Sequence, residues 1–435
     1  MNDNFAKNIL LKKLATALLS AALISPLTVN ADDSIPDPFA AMRGGQQSAP
    51  VTSAGGKTAA PEVPVVIPAP PTFDAQSWVL LDYYSGRIIT EHNKDERIWP
   101  ASLTKMMTAY VIGMELKAGR LKMEDEVTIP ENAWAKNYSD SSKMFIEVGK
   151  TIKVGDLLRG IIIQSGNDAC VAMAVHLAGT EEGFVSVMNS YAQRLGLKNT
   201  HFANVHGLFD EMNYSTAYDM ALMGRAVIRD LPDEYPIYSQ KEFSFNGIKQ
   251  YNRNRLLWDK SLAVDGIKTG HLSQVGYNLV TSAVKDNMRL VASVIGAKSE
   301  KMRAADNRAL LLYGFNYFQL YSPYKAATPL LKRAVRMGDK NEVQLGLKQD
   351  LTLVIPKGSQ SRMNVSYRLK SSQFTAPLQK GEELGIIDVK LDGRLLASAP
   401  LIALEDVNEG GFFSRMIDRM VMFFTGSTDD QTEQE

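Results

Sequence analysis

The chain has 435 residues, 45% of them hydrophobic and 22% charged, an ordinary globular composition at a length that one core rarely serves, so two or more domains are expected. Lysine plus arginine and aspartate plus glutamate both number 48, which excludes a global field that would draw the chain to nucleic acid. A single cysteine, Cys170, excludes an intramolecular disulfide framework.

In chain order, Lys7, Lys12 and Lys13 precede the apolar run LATALLSAALISPLTV, and the triplet Val29-Asn30-Ala31 closes it with small or apolar ends. That pattern predicts a secretory leader over 1–31, short for a membrane span and broken by Pro26. An uncleaved anchor is the other reading. Loss of Lys7, Lys12, Lys13 and Asp3 with the leader leaves 45 basic and 47 acidic side chains, a formal charge of −2. Residues 32–72 are rich in Pro, Ala, Gly, Ser and Gln, and PEVPVVIPAPP reads as an extended, polyproline-like tract. It has too few large apolar residues at any period to fold, so it is expected to be a linker.

SWVLLDYYSGRIITEHN then reads as a hairpin turning at Tyr84-Ser85-Gly86. A helix is predicted over Ser102 to Lys117, opened by Pro100. VGDLLRGIIIQSGNDACVAMAVHLAG is apolar at helical spacing on both sides of a polar break at Ser165–Asp168, predicting two buried helices joined by a polar loop. A further helix ends near Gly196. GYNLVTSAVKDNMRLVASVIGA predicts two strands turning at Lys285-Asp286-Asn287, and RAADNRALLLYGFNYF another helix. These elements fit one sheet with helices packed on it. From Pro323 to about Leu404 the runs are short, alternating and turn-punctuated, predicting a small all-β domain.

Three short stretches carry candidate chemistry. In PASLTKMM, Ser102 and Lys105 stand three apart on one helical face, with Ser102 in the first turn, where the helix dipole favours a forming alkoxide. A serine is a weak nucleophile until a neighbour takes its proton, and Lys105 does so only when neutral, a state that burial or a second cation promotes. A solvent-facing lysine beside a helix-opening serine is the plainer reading of the tetrapeptide alone. In QSGN, Ser165 and Asn167 suit either a pocket wall or helix capping. In VDGIKTGH, Lys268, Thr269 and Gly270 offer a cation, a hydroxyl and close backbone approach, and Lys268 is a candidate for the second cation acting on Lys105. His176 and His201 fall in apolar contexts and are expected in the core, and Cys170 is expected to be a packed thiol.

S-x-x-K, S-x-N and K-T-G in this order are the motif set of penicillin-binding proteins and class A β-lactamases. Together with LGLKNTHF, VHGL, YSTAYDMA, NRNRLLWD and GYNLVTSA, they make the chain resemble, from about Phe73 to Gly426, the D-alanyl-D-alanine carboxypeptidases, low-molecular-mass penicillin-binding proteins of the type-5 group. The resemblance implies an α/β (α+β) transpeptidase-like fold with a central antiparallel sheet and a helical subdomain over 73–322. It adds a small all-β domain over 323–406, an amphipathic helix over 409–426 and an acidic tail over 427–435. It implies Ser102 as the acylated nucleophile, Lys105 as its base, and Ser165 and Asn167 as proton relay and substrate holders. Lys268 and Thr269 are implied to bind the terminal carboxylate, Arg303 to lie near it, and the N–H groups of Ser102 and His271, after Gly270, to form the oxyanion hole. A surface helix charge is the other reading of Arg303.

The implied reaction removes the terminal D-Ala from peptidoglycan stem pentapeptides, with β-lactam antibiotics acylating the same serine, and no metal or organic cofactor. The sequence holds no H-E-x-x-H, G-x-S-x-G or G-x-G-x-x-G to suggest a rival chemistry. It departs from many members at Leu272, where threonine is common, and at Phe209, where aspartate is usual. In GGFFSRMIDRMVMFFTG, Phe413, Met416, Ile417, Met420 and Phe424 share a helical face, which fits a helix lying in the membrane interface, and the resemblance implies such an anchor at the periplasmic face of the inner membrane; a helix docked on the β domain is the other reading. The four acids after Gly426 would weaken attachment to an anionic surface. A serine β-lactamase would need a deacylating base, and no E-x-x-L-N element supplies one. A non-catalytic wall-binding scaffold is disfavoured by the intact motif residues.

Overall fold

A computed structural model describes residues 67–411. The expected leader, most of the linker, residues 412–426 of the expected terminal helix and the acidic tail lie outside the described residues. Residues 409–411, expected to open that helix, are not helical, and Glu409 forms a bridge with Gly338.

The described residues divide into two units, 67–321 with 352–360, and 322–351 with 361–411. The first begins with a hairpin of β1 (Ser77–Asp82) and β2 (Ile88–His92). The Asp82 carboxylate ties its turn by accepting from the backbone N–H of Tyr84 and Ser85, and Gly86 supplies a φ of +74°. Next come α1 (Lys105–Lys117), the short paired strands β3 (Glu126–Thr128) and β4 (Thr151–Lys153), and helices α2 (Val154–Arg159), α3 (Asn167–Ala178), α4 (Glu181–Arg194) and α5 (Ala217–Asp230). Thr180 and Thr216 cap α4 and α5 by accepting the N–H three residues on, as helix-opening threonines do. A small hairpin, β5 (Glu242–Phe245) and β6 (Ile248–Tyr251), precedes three long strands, β7 (Ala263–Leu272), β8 (Gly276–Lys285) and β9 (Met288–Ala297), and then α6 (Glu300–Tyr317).

The main sheet is antiparallel in the order β2-β1-β9-β8-β7. β8 and β9 join through Asp286 and Asn287, at φ +50° and +61°, the left-handed pair that a two-residue hairpin turn needs and that Asp and Asn tolerate. Both faces of the sheet are covered. Val79, Leu81, Val291 and Ile295 join the core shared with α1, α3 and α5, whereas Trp78, Leu80, Leu290 and Val294 join Leu310, Leu311 and Phe315 of α6. The period of two therefore sends alternate residues to different cores, and the strands read as continuous apolar runs. α1 and α3 show no solvent-exposed face over their first turns because helices and sheet surround them; every residue from Lys105 to Gly113 and from Asn167 to Ala174 is buried.

After β10 (Phe318–Tyr324), the second unit is built on a six-stranded sheet of β11 (Leu331–Arg336), β12 (Glu342–Leu347), β14 (Met363–Leu369), β15 (Phe374–Thr375), β16 (Glu383–Leu391) and β17 (Arg394–Ala403). Its order is β14-β16-β17-β12-β11-β15, antiparallel except for the β11–β15 pair. This is the all-β character expected beyond Pro323. One strand of that stretch, β13 (Leu351–Pro356), belongs mainly to the first unit, where Val354 packs in the core of Leu80 and Leu310. Alternation records a strand; it does not record which sheet or core the strand serves.

Leu80 is fully buried in the central strand pair. Leu80→Ala is expected to cost about 3 kcal/mol of stability through lost transfer energy and a residual cavity. Chemical denaturation checks this, and a loss below about 1 kcal/mol would show that the core collapses around the site.

Candidate active site

The chain approaches α1 through Pro100 and Ala101, the latter at φ +53°, and makes a 3₁₀ turn over Ala101–Thr104 before the α-helix begins at Lys105. Ser102 thus sits one turn above Lys105. Lys105 is 1% exposed, which removes the solvent-facing reading. Its Nζ donates to Ser102 Oγ at 3.1 Å, to Asn167 Oδ1 at 2.7 Å and to the His206 carbonyl at 2.5 Å, the full complement of an ammonium. Burial brings its pKa down to about 8, and the Arg253 guanidinium pushes the same way. The sequence pointed to Lys268 as the cation acting on Lys105. Burial comes first instead, with Arg253 as the cation, and the repulsion appears on Lys268, held well below the usual lysine range by burial and then by Lys105.

The polar break provides the second wall. α2 runs into a π-helical turn over Gly160–Gln164, and Ser165 follows in the left-handed region at φ 62°, ψ 37°. That kink stops the helix and turns Ser165 and Asn167 toward Lys268 and Lys105. Ser165 Oγ accepts from Lys268 Nζ at 3.0 Å. Asn167 also donates from Nδ2 to Ser141 Oγ at 2.8 Å and from its backbone to the Ser142 carbonyl at 2.9 Å. The next residue, Asp168, is fully buried and accepts from the backbone N–H groups of Met144, Phe145, Ile146 and Ala169. Burial raises its pKa while those donors hold it down. Asn167 and Asp168 together pin residues 141–146 along the cleft.

The third wall is β7, an edge strand of the main sheet. Lys268 and Thr269 are buried, at 3% and 6% exposure. A methyl on Gly270 would lie 3.0 Å from the Pro100 carbonyl oxygen, so glycine lets β7 close on the serine turn. Gly207 is tighter: at φ +81°, a methyl would fall 1.8 Å from the Ala101 oxygen. His271 is exposed, with its ring 4.2 Å from that of Tyr277. Arg303 in α6 is 4% exposed, not a surface charge. It donates to the carbonyls of Gly270 and Arg253 and pairs with Glu300 at 3.2 Å. Burial lowers its pKa to about 10, against the pull of Glu300.

These walls enclose a cleft of about 330 Å³ lined by Ser102, Asn167, Thr269, His271 and Arg303, with Lys105, Ser165 and Lys268 behind them. The sequence-predicted residues are thereby brought together. Ser141, Ser142 and Arg253 also line the cleft and were missed; Arg253 Nη1 donates to Ser142 Oγ at 2.5 Å. Arg253 stood in NRNRLLWD as a resemblance without a role, and the Ser141-Ser142 pair had no motif. Two expectations about histidine need correction. His176 is exposed, because the last turn of α3 leaves the core, and His201 is half-buried with Nδ1 2.7 Å from the Met212 carbonyl oxygen. Cys170 is buried as expected, and burial pushes its thiol up to about 12, so it stays protonated. Burial also brings His206 down to about 3, so its imidazole is neutral beside Lys105. Among the described residues no group of three His, Cys, Asp or Glu side chains is placed to hold a metal ion, and no helix is long and apolar enough to cross a membrane.

A family model described as D-alanyl-D-alanine carboxypeptidase matches residues 65–299, and one described as penicillin-binding protein 5, C-terminal domain, matches 318–409. The chain is 49% identical over 365 residues to D-alanyl-D-alanine carboxypeptidase DacA of Escherichia coli (strain K12), covering 83% of this chain and 91% of that one. It is 35% identical to DacF of Bacillus subtilis (strain 168), over 78% of this chain and 88% of that one. Among solved structures, penicillin binding protein 5 from Haemophilus influenzae superposes with a TM-score of 0.74 at 50% identity, covering 78% of this chain and 99% of that one.

Removing the buried carboxylate of Asp168 leaves four backbone donors short of a partner. Asp168→Ala is expected to cost about 3 kcal/mol of stability. Hydrogen exchange at Met144–Ile146 should quicken with it, and unchanged exchange there would show that the 141–146 segment is held by other contacts.

Proposed function

The chain belongs to the D-alanyl-D-alanine carboxypeptidase family, and on that premise we propose that Ser102 is the residue acylated and Lys105 the base that activates it. The protein is a serine peptidase of that activity, with a penicillin-binding fold that acts on peptidoglycan and takes β-lactams. The observation that carries the residue assignment is the buried Lys105 Nζ, 3.1 Å from Ser102 Oγ and brought down to about 8.

In the reaction, neutral Lys105 takes the Ser102 proton as Oγ attacks the carbonyl carbon between the two terminal D-alanines of a stem pentapeptide. The oxyanion is held by the backbone N–H groups of Ser102 and His271. The C–N bond then breaks, the Lys105 ammonium gives its proton by way of the Ser165 hydroxyl to the amine of D-Ala, and D-Ala leaves. Lys105, neutral again, takes a proton from the water that adds to the acyl carbon and returns it to Ser102 Oγ as the ester breaks. Asn167 holds the substrate amide. Thr269 and Arg303 hold the terminal carboxylate, whose charge also matches the buried Lys268. A β-lactam forms the same ester with Ser102, its ring amide standing in for the peptide bond.

The same reading assigns residues 1–31 as the leader of an exported protein, 32–72 as a linker, 73–322 as the catalytic domain and 323–406 as the β domain. Residues 412–426, with the face from Phe413 to Phe424, would anchor it peripherally at the periplasmic side of the inner membrane, and 427–435 form the acidic tail.

Ser102→Ala should abolish D-Ala release from a stem pentapeptide, by at least about a thousandfold. Appreciable release by the variant would remove Ser102 from the reaction. Acylation should also follow the Lys105 proton. Below its pKa Lys105 is charged and takes no proton, so kcat/KM is expected to rise roughly tenfold per pH unit toward 8 and level above it. A flat profile between about pH 6 and 9 would exclude Lys105 as the base.

A further inference from the structure

Beside the cleft lies a second concavity that the reaction does not use. The 3₁₀ turn Arg255–Trp258 follows Asn254, whose side chain accepts from Leu256 N and donates to the Gly266 carbonyl. Leu256 and Leu257 turn inward, at 5% and 8% exposure, which leaves Arg255 and Trp258 outside. Trp258 is 42% exposed, and Tyr251, at the end of β6, is 59% exposed. Around these two rings runs an open groove of about 460 Å³, completed by Asn252, Arg253 and Glu300. Lys241 and Lys249 place ammonium groups 5.8 Å and 5.9 Å from the centroids of Trp258 and Tyr251.

The groove adjoins the catalytic cleft. Arg253 lines both. Glu300 bridges them as well, pairing with Arg303 of the cleft at 3.2 Å and with Arg255 of the groove at 3.1 Å. Its lining selects a ligand class. Two exposed aromatic faces suit a flat surface of C–H bonds, and there is no aliphatic floor for a lipid chain. The rim sets the guanidinium groups of Arg253 and Arg255 beside the Glu300 carboxylate and the Asn252 amide, donors and acceptors that suit hydroxyl and amide groups; the two aromatic faces, not the charge, select the ligand. A neutral pyranose has this pattern, with apolar axial faces and a polar equatorial edge.

We propose that this groove is a carbohydrate subsite for N-acetylhexosamine units of the glycan in the wall polymer. The proposal rests on the carboxypeptidase reading and extends it from the stem peptide to the polymer. The groove opens beside Arg303, at the end of the cleft that receives the terminal carboxylate. The sugar attached to the bound peptide lies at the peptide's opposite end, so the subsite holds a neighbouring glycan strand.

The test uses the full chain and its Trp258→Ala, Tyr251→Ala and Trp258→Phe variants. D-Ala release is measured from free stem pentapeptide and from pentapeptide-rich wall material, and binding of tri-N-acetylchitotriose is titrated alongside. Each alanine variant is expected to lower kcat/KM on the wall material, and affinity for the trisaccharide, by about tenfold. Rates on free pentapeptide and acylation by penicillin should stay within about twofold, which also reports an intact fold. Trp258→Phe should recover most of the loss. Equal loss on both substrates, or unaltered wall activity and trisaccharide binding in both alanine variants, would overturn the subsite. No release from either substrate by the unaltered protein would instead overturn the activity on which it rests.

Discussion

Burial of the Lys105 ammonium is the constraint around which the catalytic unit is organised. A lysine in a dry site is stable only if its three donors are met, and here they are met by a hydroxyl, an amide oxygen and a main-chain carbonyl rather than by a carboxylate. A carboxylate would have held the proton on. Without one, the drop from 10.5 to about 8 amounts to roughly 3 kcal/mol against the charged form, enough to make the neutral amine accessible near neutral pH. Arg253 is the neighbouring cation that adds to the drop.

Three separate parts of the chain must converge for this to hold, and each does so through a local departure from regular structure. Ala101 takes a positive φ to swing Ser102 over Lys105, Ser165 takes one to break the α2–α3 run, and Gly207 takes one where any side chain would strike Ala101. The sheet makes these departures affordable. β7 is an edge strand whose partner β8 lies in a fully covered sheet, so Lys268 and Thr269 are presented from a rigid margin. Asp168 does the same for the opposite wall by gathering three consecutive N–H groups of the 144–146 segment.

Arg303 and Glu300 carry the organisation outward. Arg303 faces the cleft with little solvent contact, and Glu300 sets it in place while also meeting Arg255. The cleft and the aromatic groove therefore share charged groups. This gives a physical route by which occupation of one by polymer influences the other, and it gives the exposed Trp258 and Tyr251 a reason to be exposed.

Some of this was legible in the sequence alone. The order S-x-x-K, S-x-N, K-T-G named Ser102, Lys105, Ser165, Asn167, Lys268 and Thr269, because chemistry at fixed short spacing survives as a linear pattern. Apolar periodicity located the helices on either side of Ser165 and the β8–β9 pair, because local geometry repeats every 3.6 or 2 residues. What is not local was not legible. The Ser141-Ser142 pair and Arg253 reach the cleft only through loops closed by Asn167 and β7, and Val354 serves the core of the first unit although its strand is written among those of the second. Whether Lys105 faces water or the core, whether Arg303 is a surface charge, and which cation acts on which lysine depend on what surrounds each group in three dimensions. Burial and Coulomb interaction act through space, and a pattern along the chain carries no record of them until the chain has folded.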